Sequence, residues 1–205
     1  MNITVKTSGL FSTNSYLVED GENVYLIDAP DRNGEMLEEL DRKGKLSAVL
    51  LTHGHFDHIM GIRDVLRHFP GTPVYLDGDD VFLISGSENG NRSFLRLFGI
   101  PLSYYNVPDD IVFTPYGASV GPFRVIRTPG HTPGSVSLYD EKDGVLFSGD
   151  TLFQAGEGRT DLGGSCTLLQ KSLSLLLSLP EETAVYPGHG ESTSVKAERY
   201  FSCRF

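Results

Sequence analysis

Three histidines and one aspartate lie within the short segment 52–58 of this chain, namely His53, His55, Asp57 and His58. Imidazole nitrogens and carboxylate oxygens are ligands that Zn(II), Fe(II) and Mn(II) accept, so such a cluster can bind a metal without a thiolate. A single histidine in a loop is usually solvated or hydrogen-bonded. However, the chain has 6 histidines in all, and half of them fall here. We therefore interpret this segment as half of a metal site.

Three further candidate ligands come at the ends of predicted strands: His131, Asp150 and His189. The resulting set of nitrogen and oxygen ligands is too large for one tetrahedral zinc ion and suits two metals that share a bridging carboxylate. His68 is excluded from the set, because it falls in the last turn of a predicted helix, where a cation complements the helix dipole.

Strands and helices must bring these separated residues together. Strand-forming runs separated by turn formers predict a β-meander at 3–7, 15–18 and 23–27. Helical spacing predicts helices at 33–43, ended by Gly44, and at 59–69, with a buried strand at 48–52 between them. Asp28 follows the third strand, and its carboxylate either caps the next helix or supports a ligand histidine from behind.

The second half of the chain repeats this order of strands, helix, strand and histidine loop. Strands are predicted at 120–128, 136–139, 145–148 and 183–186, with an amphipathic helix at 168–177. A second sheet is implied. Between the halves, the segment 79–105 contains Phe82, Phe94, Phe98, Tyr104 and Tyr105. Core packing is our first interpretation of these aromatic residues, and lining of an apolar substrate pocket is the second.

Composition sets the class of protein. The 205 residues, 39% apolar and 21% charged, predict a soluble globular protein folded as a single domain over 1–205. The net charge of -10 makes nucleic acid a poor partner. No segment is apolar enough to span a membrane, and the N-terminus lacks signal-peptide character, so a cytoplasmic location is the default expectation. The two cysteines, Cys166 and Cys203, are expected to be reduced, and no role is assigned to them.

The ligand segments resemble the motifs of the metallo-β-lactamase-fold hydrolases, in that family's order along the chain. They are His53-x-His55-x-Asp57-His58, Pro129-Gly130-His131-Thr132-x-Gly134, Ser148-Gly149-Asp150 and Pro187-Gly188-His189. The resemblance implies an α/β fold with α+β layering, the αβ/βα four-layer sandwich of that family, with two mixed β-sheets and helices outside. It also implies two divalent metal ions, with zinc expected first and iron or manganese as alternatives.

The resemblance assigns each ligand to a metal. The residues that match His53, His55 and His131 bind one ion in that family, and those that match Asp57, His58 and His189 bind the other. The match to Asp150 bridges the two ions. Asp57 is also expected to orient the metal-bound hydroxide.

Departures from the family motifs indicate the branch. Asp150 stands where the best-known zinc β-lactamases of this fold have a cysteine, which favours the glyoxalase-II-like branch over β-lactam hydrolysis. Short hydroxyacylglutathione-hydrolase-like proteins are similar around Arg159. Two glutathione-binding tyrosines of glyoxalase II are replaced here by Asp161 and Glu191. The C-terminal helical domain of glyoxalase II, with its basic anchors, is expected to be lacking. Arg159 either anchors a substrate carboxylate or forms an ion pair with Asp161 or Glu157.

The expected function is therefore hydrolysis of a thioester, hydroxyacylglutathione-like, or of a related ester, with a small molecule as the partner. Alternatives within the fold are a lactonase, a mononuclear-iron persulfide dioxygenase and an RNA-processing nuclease, the last disfavoured by the acidic charge. A catalytically silent metal-binding module is the non-enzymatic alternative. The sequence determines neither the oligomeric state nor the metal identity.

Overall fold

The computed structural model describes residues 1–85, 90–108 and 110–202, so Cys203 lies outside the described residues. The chain divides into two compact units, 1–115 and 116–205. The prediction of a single domain over 1–205 stays a prediction. Within the described residues, no helix combines the length and the apolar character that crossing a membrane would require.

The first unit is built on one mixed sheet of six strands in sequential order. Its strands are β1 (Asn2–Ser8), β2 (Thr13–Asp20), β3 (Asn23–Ile27), β4 (Ala48–Leu50), β5 (Val74–Tyr75) and β6 (Phe113–Thr114). The first three form the predicted antiparallel meander, and β3 to β6 pair in parallel. Strands buried on both faces read as continuous apolar runs, and all of β4 is buried together with the following Leu51.

Five α-helices accompany this sheet: α1 (Gly34–Lys43), α2 (Phe56–Ile59), α3 (Ile62–His68), α4 (Val81–Ile84) and α5 (Asn91–Leu97). Helix α1 ends as predicted, because Gly44 adopts the left-handed conformation with φ 67° and donates its N–H to the last carbonyls. A short 3-10 helix at Gly78–Asp80 precedes α4.

The continuous helix predicted at 59–69 is wrong, because the structure has two helices, and the first begins earlier, at Phe56. The break falls at Gly61, whose N–H leaves the helical ladder and donates to the carbonyl of Ala29 at 2.8 Å. A Cβ atom at Gly61 would lie 2.1 Å from the carbonyl oxygen of Pro30. This close approach of two backbones therefore requires glycine and ends the first helix.

The second unit is built on another mixed sheet of six strands. They are β7 (Ser119–Val120), β8 (Phe123–Arg127), β9 (Val136–Asp140), β10 (Val145–Gly149), β13 (Ala184–Pro187) and β14 (Thr193–Ser194). Their order across the sheet is β14-β13-β10-β9-β8-β7. Only β10 and β13 pair in parallel among these ladders. The single strand predicted at 120–128 is divided by a tight turn at Gly121, which has φ 54°.

A small hairpin of β11 (Leu152–Phe153) and β12 (Gly156–Glu157) completes the strands, and α6 (Cys166–Leu176) and α7 (Val195–Ser202) are the helices of this unit. Sequence patterns predicted α6 but neither the hairpin, nor β14, nor α7. The leucines of α6 pack into the core as their spacing predicts, with Leu169, Leu173 and Leu176 against Leu146 and Val185 of the sheet.

Candidate metal centre

The four candidate ligands of the first unit follow strand β4 directly. His53 and His55 lie in the turn after the strand, and Asp57 and His58 lie in α2. The ligand atoms of His53 lie within 4.8 Å of those of both His55 and His58. The carboxylate of Asp57 is 3.7 Å from Nε2 of His58. The three histidines are buried, so the structure brings the predicted half-site together in a protected place.

Asp28 supports two of these histidines through one carboxylate. Its Oδ2 atom accepts the Nδ1–H of His58 at 2.8 Å and the hydroxyl of Thr52 at 2.8 Å, while Oδ1 accepts the Thr52 backbone N–H. Since the Thr52 hydroxyl donates to Asp28, it accepts from Nδ1 of His53, 3.1 Å away. Both rings are thereby held in the tautomer that directs Nε2 to a metal.

The two interpretations of Asp28 are thus separated by the structure. The carboxylate contacts a candidate ligand histidine, His58, whereas the residue at the start of α1 is Asn33, with no side-chain capping bond. Asp28 has φ 57°, a backbone conformation uncommon for aspartate, and its carbonyl is held by the hydroxyl of Ser15 at 2.7 Å. The parallel strands β3 and β4 place Asp28 and Thr52 side by side at their carboxyl ends.

The turn between His53 and His55 is held at both polar groups of Gly54. The Gly54 N–H donates to Oδ2 of Asp80 at 2.8 Å, and the Gly54 carbonyl accepts from Nδ2 of Asn91 at 2.8 Å. Asp80 and Asn91 are both 0% exposed. Sequence reasoning missed both residues. The sequence contains one indication of the role of Asp80, because it belongs to an acidic cluster that follows a parallel strand. Asp28 likewise follows a parallel strand.

Asp57 is oriented from the β1–β2 side of the sheet. The hydroxyl of Thr13, the first residue of β2, donates to Oδ2 of Asp57 at 3.2 Å. This bond fixes one oxygen of the carboxylate predicted to act in catalysis.

The candidate ligands of the second unit surround one carboxylate. Asp150 follows β10, His189 follows the parallel neighbour β13, and His131 lies in the loop after β8. Oδ2 of Asp150 is 3.5 Å from Nε2 of His131 and 3.4 Å from Nε2 of His189. The Nδ1–H of His131 donates to the backbone carbonyl of Arg159 at 2.7 Å, so its Nε2 atom is directed to Asp150.

Two glycines permit this arrangement through close backbone approaches. A Cβ atom on Gly158 would lie 1.8 Å from the carbonyl oxygen of Asp150, and one on Gly130 would lie 2.3 Å from Cα of Leu169. The approach of Leu169 explains why position 130, before His131, is a glycine, because only glycine lets α6 pack this close to the loop that carries His131.

Arg159 forms the ion pair with Asp161 that was one of its two interpretations. Nε and Nη2 of Arg159 donate to the two carboxylate oxygens of Asp161, each at 2.6 Å. The guanidinium lowers the pKa of Asp161 from 3.8 to about 2. Glu157, the other partner considered, instead accepts from Gln170. Cys166 is exposed at the start of α6.

The donor set of each unit fits a divalent transition metal. All candidate ligands offer nitrogen or oxygen, most are buried, and three of the imidazoles present Nε2 because Nδ1 is engaged in a hydrogen bond. Hydrogen-bonded ligands of this kind raise metal affinity by removing the freedom of the ring. His68, which was excluded from the set, lies 41% exposed at the end of α3 and contacts Asp41.

Comparison with known proteins places these motifs in a family context. The profile of the metallo-beta-lactamase superfamily matches residues 8–189. A "Probable metallo-hydrolase YqgX" of Bacillus subtilis is 38% identical over 196 residues, covering 93% of this chain and 91% of that protein. A "Hydroxyacylglutathione hydrolase GloC" of Haemophilus influenzae is 33% identical over 211 residues, covering 97% of this chain and 95% of that protein.

Two solved structures are similar over nearly the whole chain. TTHA1623 in a di-iron-bound form has a TM-score of 0.85 and 36% identity, with 96% of each chain covered. The BLEG-1 B3 metallo-beta-lactamase has a TM-score of 0.83 and 38% identity, with 97% of each chain covered. Together with the two mixed sheets and their helices, these likenesses confirm the predicted fold class. They support a metal-dependent hydrolase at that level of description.

Proposed function

Since the chain belongs to the metallo-β-lactamase superfamily, we propose that it is a dinuclear-metal hydrolase that cleaves a thioester, hydroxyacylglutathione-like, or a related ester. The observation that carries this proposal is the buried histidine cluster after β4, in which Asp28 and Thr52 hold the rings of His53 and His58 in their metal-binding tautomers. The relative named as a hydroxyacylglutathione hydrolase supports the substrate class.

The proposed ligand sets follow the family assignment. His53, His55 and His131 would hold one ion, Asp57, His58 and His189 would hold the other, and Asp150 would contact both. Zinc is the first candidate, and the di-iron-bound relative makes iron a direct competitor. Cellular supply decides between such metals, because affinity alone follows the Irving–Williams order.

Divalent cations held by these residues would lower the pKa of a bound water toward about 7 and would polarise a carbonyl oxygen. The residues of this chain then supply orientation. One oxygen of Asp57 is held by the Thr13 hydroxyl, and we assign the other to accept a hydrogen bond from the attacking water. His53 and His58 keep Nδ1 protonated through Thr52 and Asp28, so neither ring has to reorient during the reaction.

The main contribution of Arg159 to this site comes from its backbone, because its carbonyl accepts the Nδ1–H of His131 and so orients that ring. Its guanidinium is engaged in two bonds with Asp161, which supports a structural role for the side chain over the anchoring of a substrate carboxylate. The proposed substrate therefore does not depend on a glutathione carboxylate bound at Arg159.

Hydrolysis of a β-lactam amide is the second candidate function. It is favoured by the likeness to a structure named as a B3 metallo-beta-lactamase, at 38% identity over 97% of both chains. The two candidates differ in the bond that is cleaved, and Asp150, which stands where the best-known zinc β-lactamases of this fold have a cysteine, favours the first.

A substrate panel tests the proposal. Protein loaded separately with zinc, iron or manganese would be assayed with S-lactoylglutathione, other thioesters, lactones, simple esters and a chromogenic cephalosporin. We expect thioester cleavage that is lost in His55→Ala and kept in His68→Ala, a matched control because His68 is a surface histidine. Cleavage of the cephalosporin alone would favour the second candidate, and metal-loaded protein that cleaves no member would refute both.

A further inference from the structure

Three phenylalanine rings pack against one another beside the candidate ligands of the first unit. Phe11 lies edge to face 5.3 Å from Phe56 and 5.5 Å from Phe98, measured between ring centroids, and Phe56 lies 6.2 Å from Phe98. We call Phe11, Phe56 and Phe98 the aromatic wall. A fourth ring, that of Phe94, packs edge-on against the imidazole of His55 at 5.5 Å.

Two residues of the aromatic wall are close in sequence to residues of the proposed reaction site. Phe56 stands between His55 and Asp57 in the sequence, so its ring is held one residue away from two candidate ligands. Phe11 lies two residues before Thr13, whose hydroxyl donates to Asp57. These two wall residues therefore belong to the same chain segments as His55, Asp57 and Thr13.

The wall leaves apolar surface accessible. Phe56 is buried at 3% exposure, whereas Phe11 and Phe98 remain 37% and 36% exposed. Their sequence neighbours Leu10 and Leu97 are 45% and 70% exposed. Single exposed apolar side chains are ordinary, but exposed aromatic rings in contact with each other near candidate catalytic residues are typical of a ligand-binding surface.

The position of Phe11 in the wall is fixed by the turn between β1 and β2. Gly9 has φ 80°, and the hydroxyl of Ser8 donates to the carbonyl of Asp31 at 3.0 Å. Ser12, with φ 55°, closes the turn by donating its N–H to the Gly9 carbonyl. Since edge-to-face packing also restrains the rings, little ordering would be needed on binding.

We infer that the aromatic wall binds the acyl group of the substrate and selects apolar acyl groups, such as aryl or medium-chain alkyl, over the small hydroxylated lactoyl group. This inference rests on the proposed thioester hydrolysis. In a hydroxyacylglutathione-like substrate the thiol part is polar and charged, and an apolar aromatic surface does not match it. The acyl group is the part that can be apolar and that is bonded to the reacting carbonyl carbon.

The test holds the thiol constant and varies the acyl group. Acetyl, lactoyl, hexanoyl and phenylacetyl thioesters of N-acetylcysteamine would be compared by kcat/KM in the wild type, Phe98→Ala, Phe11→Ala and Phe98→Leu. Leu175→Ala is the matched control, because Leu175 is 48% exposed on α6 and outside the wall. Metal content of every variant would be measured, so that loss of metal is separated from loss of the wall.

We expect the wild type to prefer phenylacetyl over acetyl by about tenfold or more, the range of an apolar pocket. Truncation of Phe98 or Phe11 should reduce that preference about tenfold, through a higher KM for the apolar acyl thioesters. Phe98→Leu should retain the hexanoyl preference, and Leu175→Ala should change nothing. Equal use of all four acyl groups by the wild type, or a preference that survives both alanine variants, would overturn the inference.

A binding measurement separates this inference from the proposed function. Calorimetry with N-acetyl-S-hexylcysteamine and N-acetyl-S-ethylcysteamine, which cannot be hydrolysed, should give tighter binding of the hexyl thioether that is lost in Phe98→Ala. If the hexyl thioether binds as expected but no thioester is cleaved, the proposed function is refuted, whereas the binding role of the aromatic wall is supported. If thioesters are cleaved but neither assay depends on the length of the acyl or alkyl group, the binding role of the aromatic wall is refuted, whereas the proposed function is supported.

Discussion

Replacing Asp28 by asparagine removes hydrogen-bond acceptors behind the candidate metal ligands, while the side chain keeps nearly the same size and shape. The carboxylate accepts three hydrogen bonds, from the Thr52 backbone N–H, from the Thr52 hydroxyl and from Nδ1–H of His58. In the Asp28→Asn variant the remaining amide oxygen can still accept the bond of the backbone N–H. The amide NH₂ group then faces the Thr52 hydroxyl and the His58 ring, and it cannot accept from either of them.

The magnitude follows from those two lost bonds. Hydrogen bonds to charged groups contribute about 1.5–3 kcal/mol each, so the free energy of unfolding of the metal-free protein should fall by about 3 kcal/mol or more. Loss of a partner behind a ligand histidine typically lowers metal affinity by about 10–100-fold. Asp28 is 1% exposed, so water cannot replace the lost acceptor.

Chelator competition measures the metal affinity, and urea unfolding of the metal-free protein measures the stability. Asp41→Asn is the matched control, since Asp41 contacts a histidine, His68, at 3.0 Å on the exposed surface. Exposed pairs contribute at most about 1 kcal/mol, so this variant should keep its metal affinity and nearly all of its stability. An Asp28→Asn protein that binds metal as tightly as the wild type would refute the role assigned to Asp28.

Three further predictions concern other parts of the structure. Asp80→Asn should lower metal affinity about tenfold in chelator competition, because the Gly54 N–H loses its charged acceptor, and unchanged affinity would contradict that role. In Arg159→Ala the pKa of Asp161 should rise from about 2 toward 3.8 in a carboxyl NMR titration. A carboxyl whose pKa is lower in the folded state than in the unfolded state stabilises the fold at pH values above the unfolded-state pKa. The stability difference between wild type and variant should therefore disappear as the pH falls from about 4 to about 2. A difference that persists below about pH 2 would refute this cause. Removal of metal by a chelator should abolish hydrolysis and readdition should restore it, whereas full activity of the metal-free protein would contradict a metal-dependent reaction.

The strand ends that present the candidate ligands could be predicted from local patterns. Continuous apolar runs followed by glycine-containing turns identify buried strands, and the candidate ligands Asp150 and His189 do follow parallel neighbours. The end of α1 at Gly44 could also be predicted, because a left-handed residue after an amphipathic run is a local feature.

Long-range contacts explain what the sequence patterns missed. The break before α3 depends on contacts of Gly61 with Ala29 and Pro30, about which helical periodicity carries no information. Asp80 and Asn91 reach Gly54 from positions 26 and 37 residues away, so no spacing rule could connect them. The choice between the two roles of Asp28 required the parallel pairing of β3 and β4, which only the folded sheet supplies.

A crystal structure of the protein grown with zinc, with anomalous data collected on both sides of the zinc absorption edge, tests the ligand assignment most directly. We expect two anomalous peaks. One would be bound by His53, His55 and His131, the other by Asp57, His58 and His189, with Asp150 in contact with both. A single peak, or peaks held by residues outside these sets, would contradict the dinuclear centre on which the proposed hydrolysis depends.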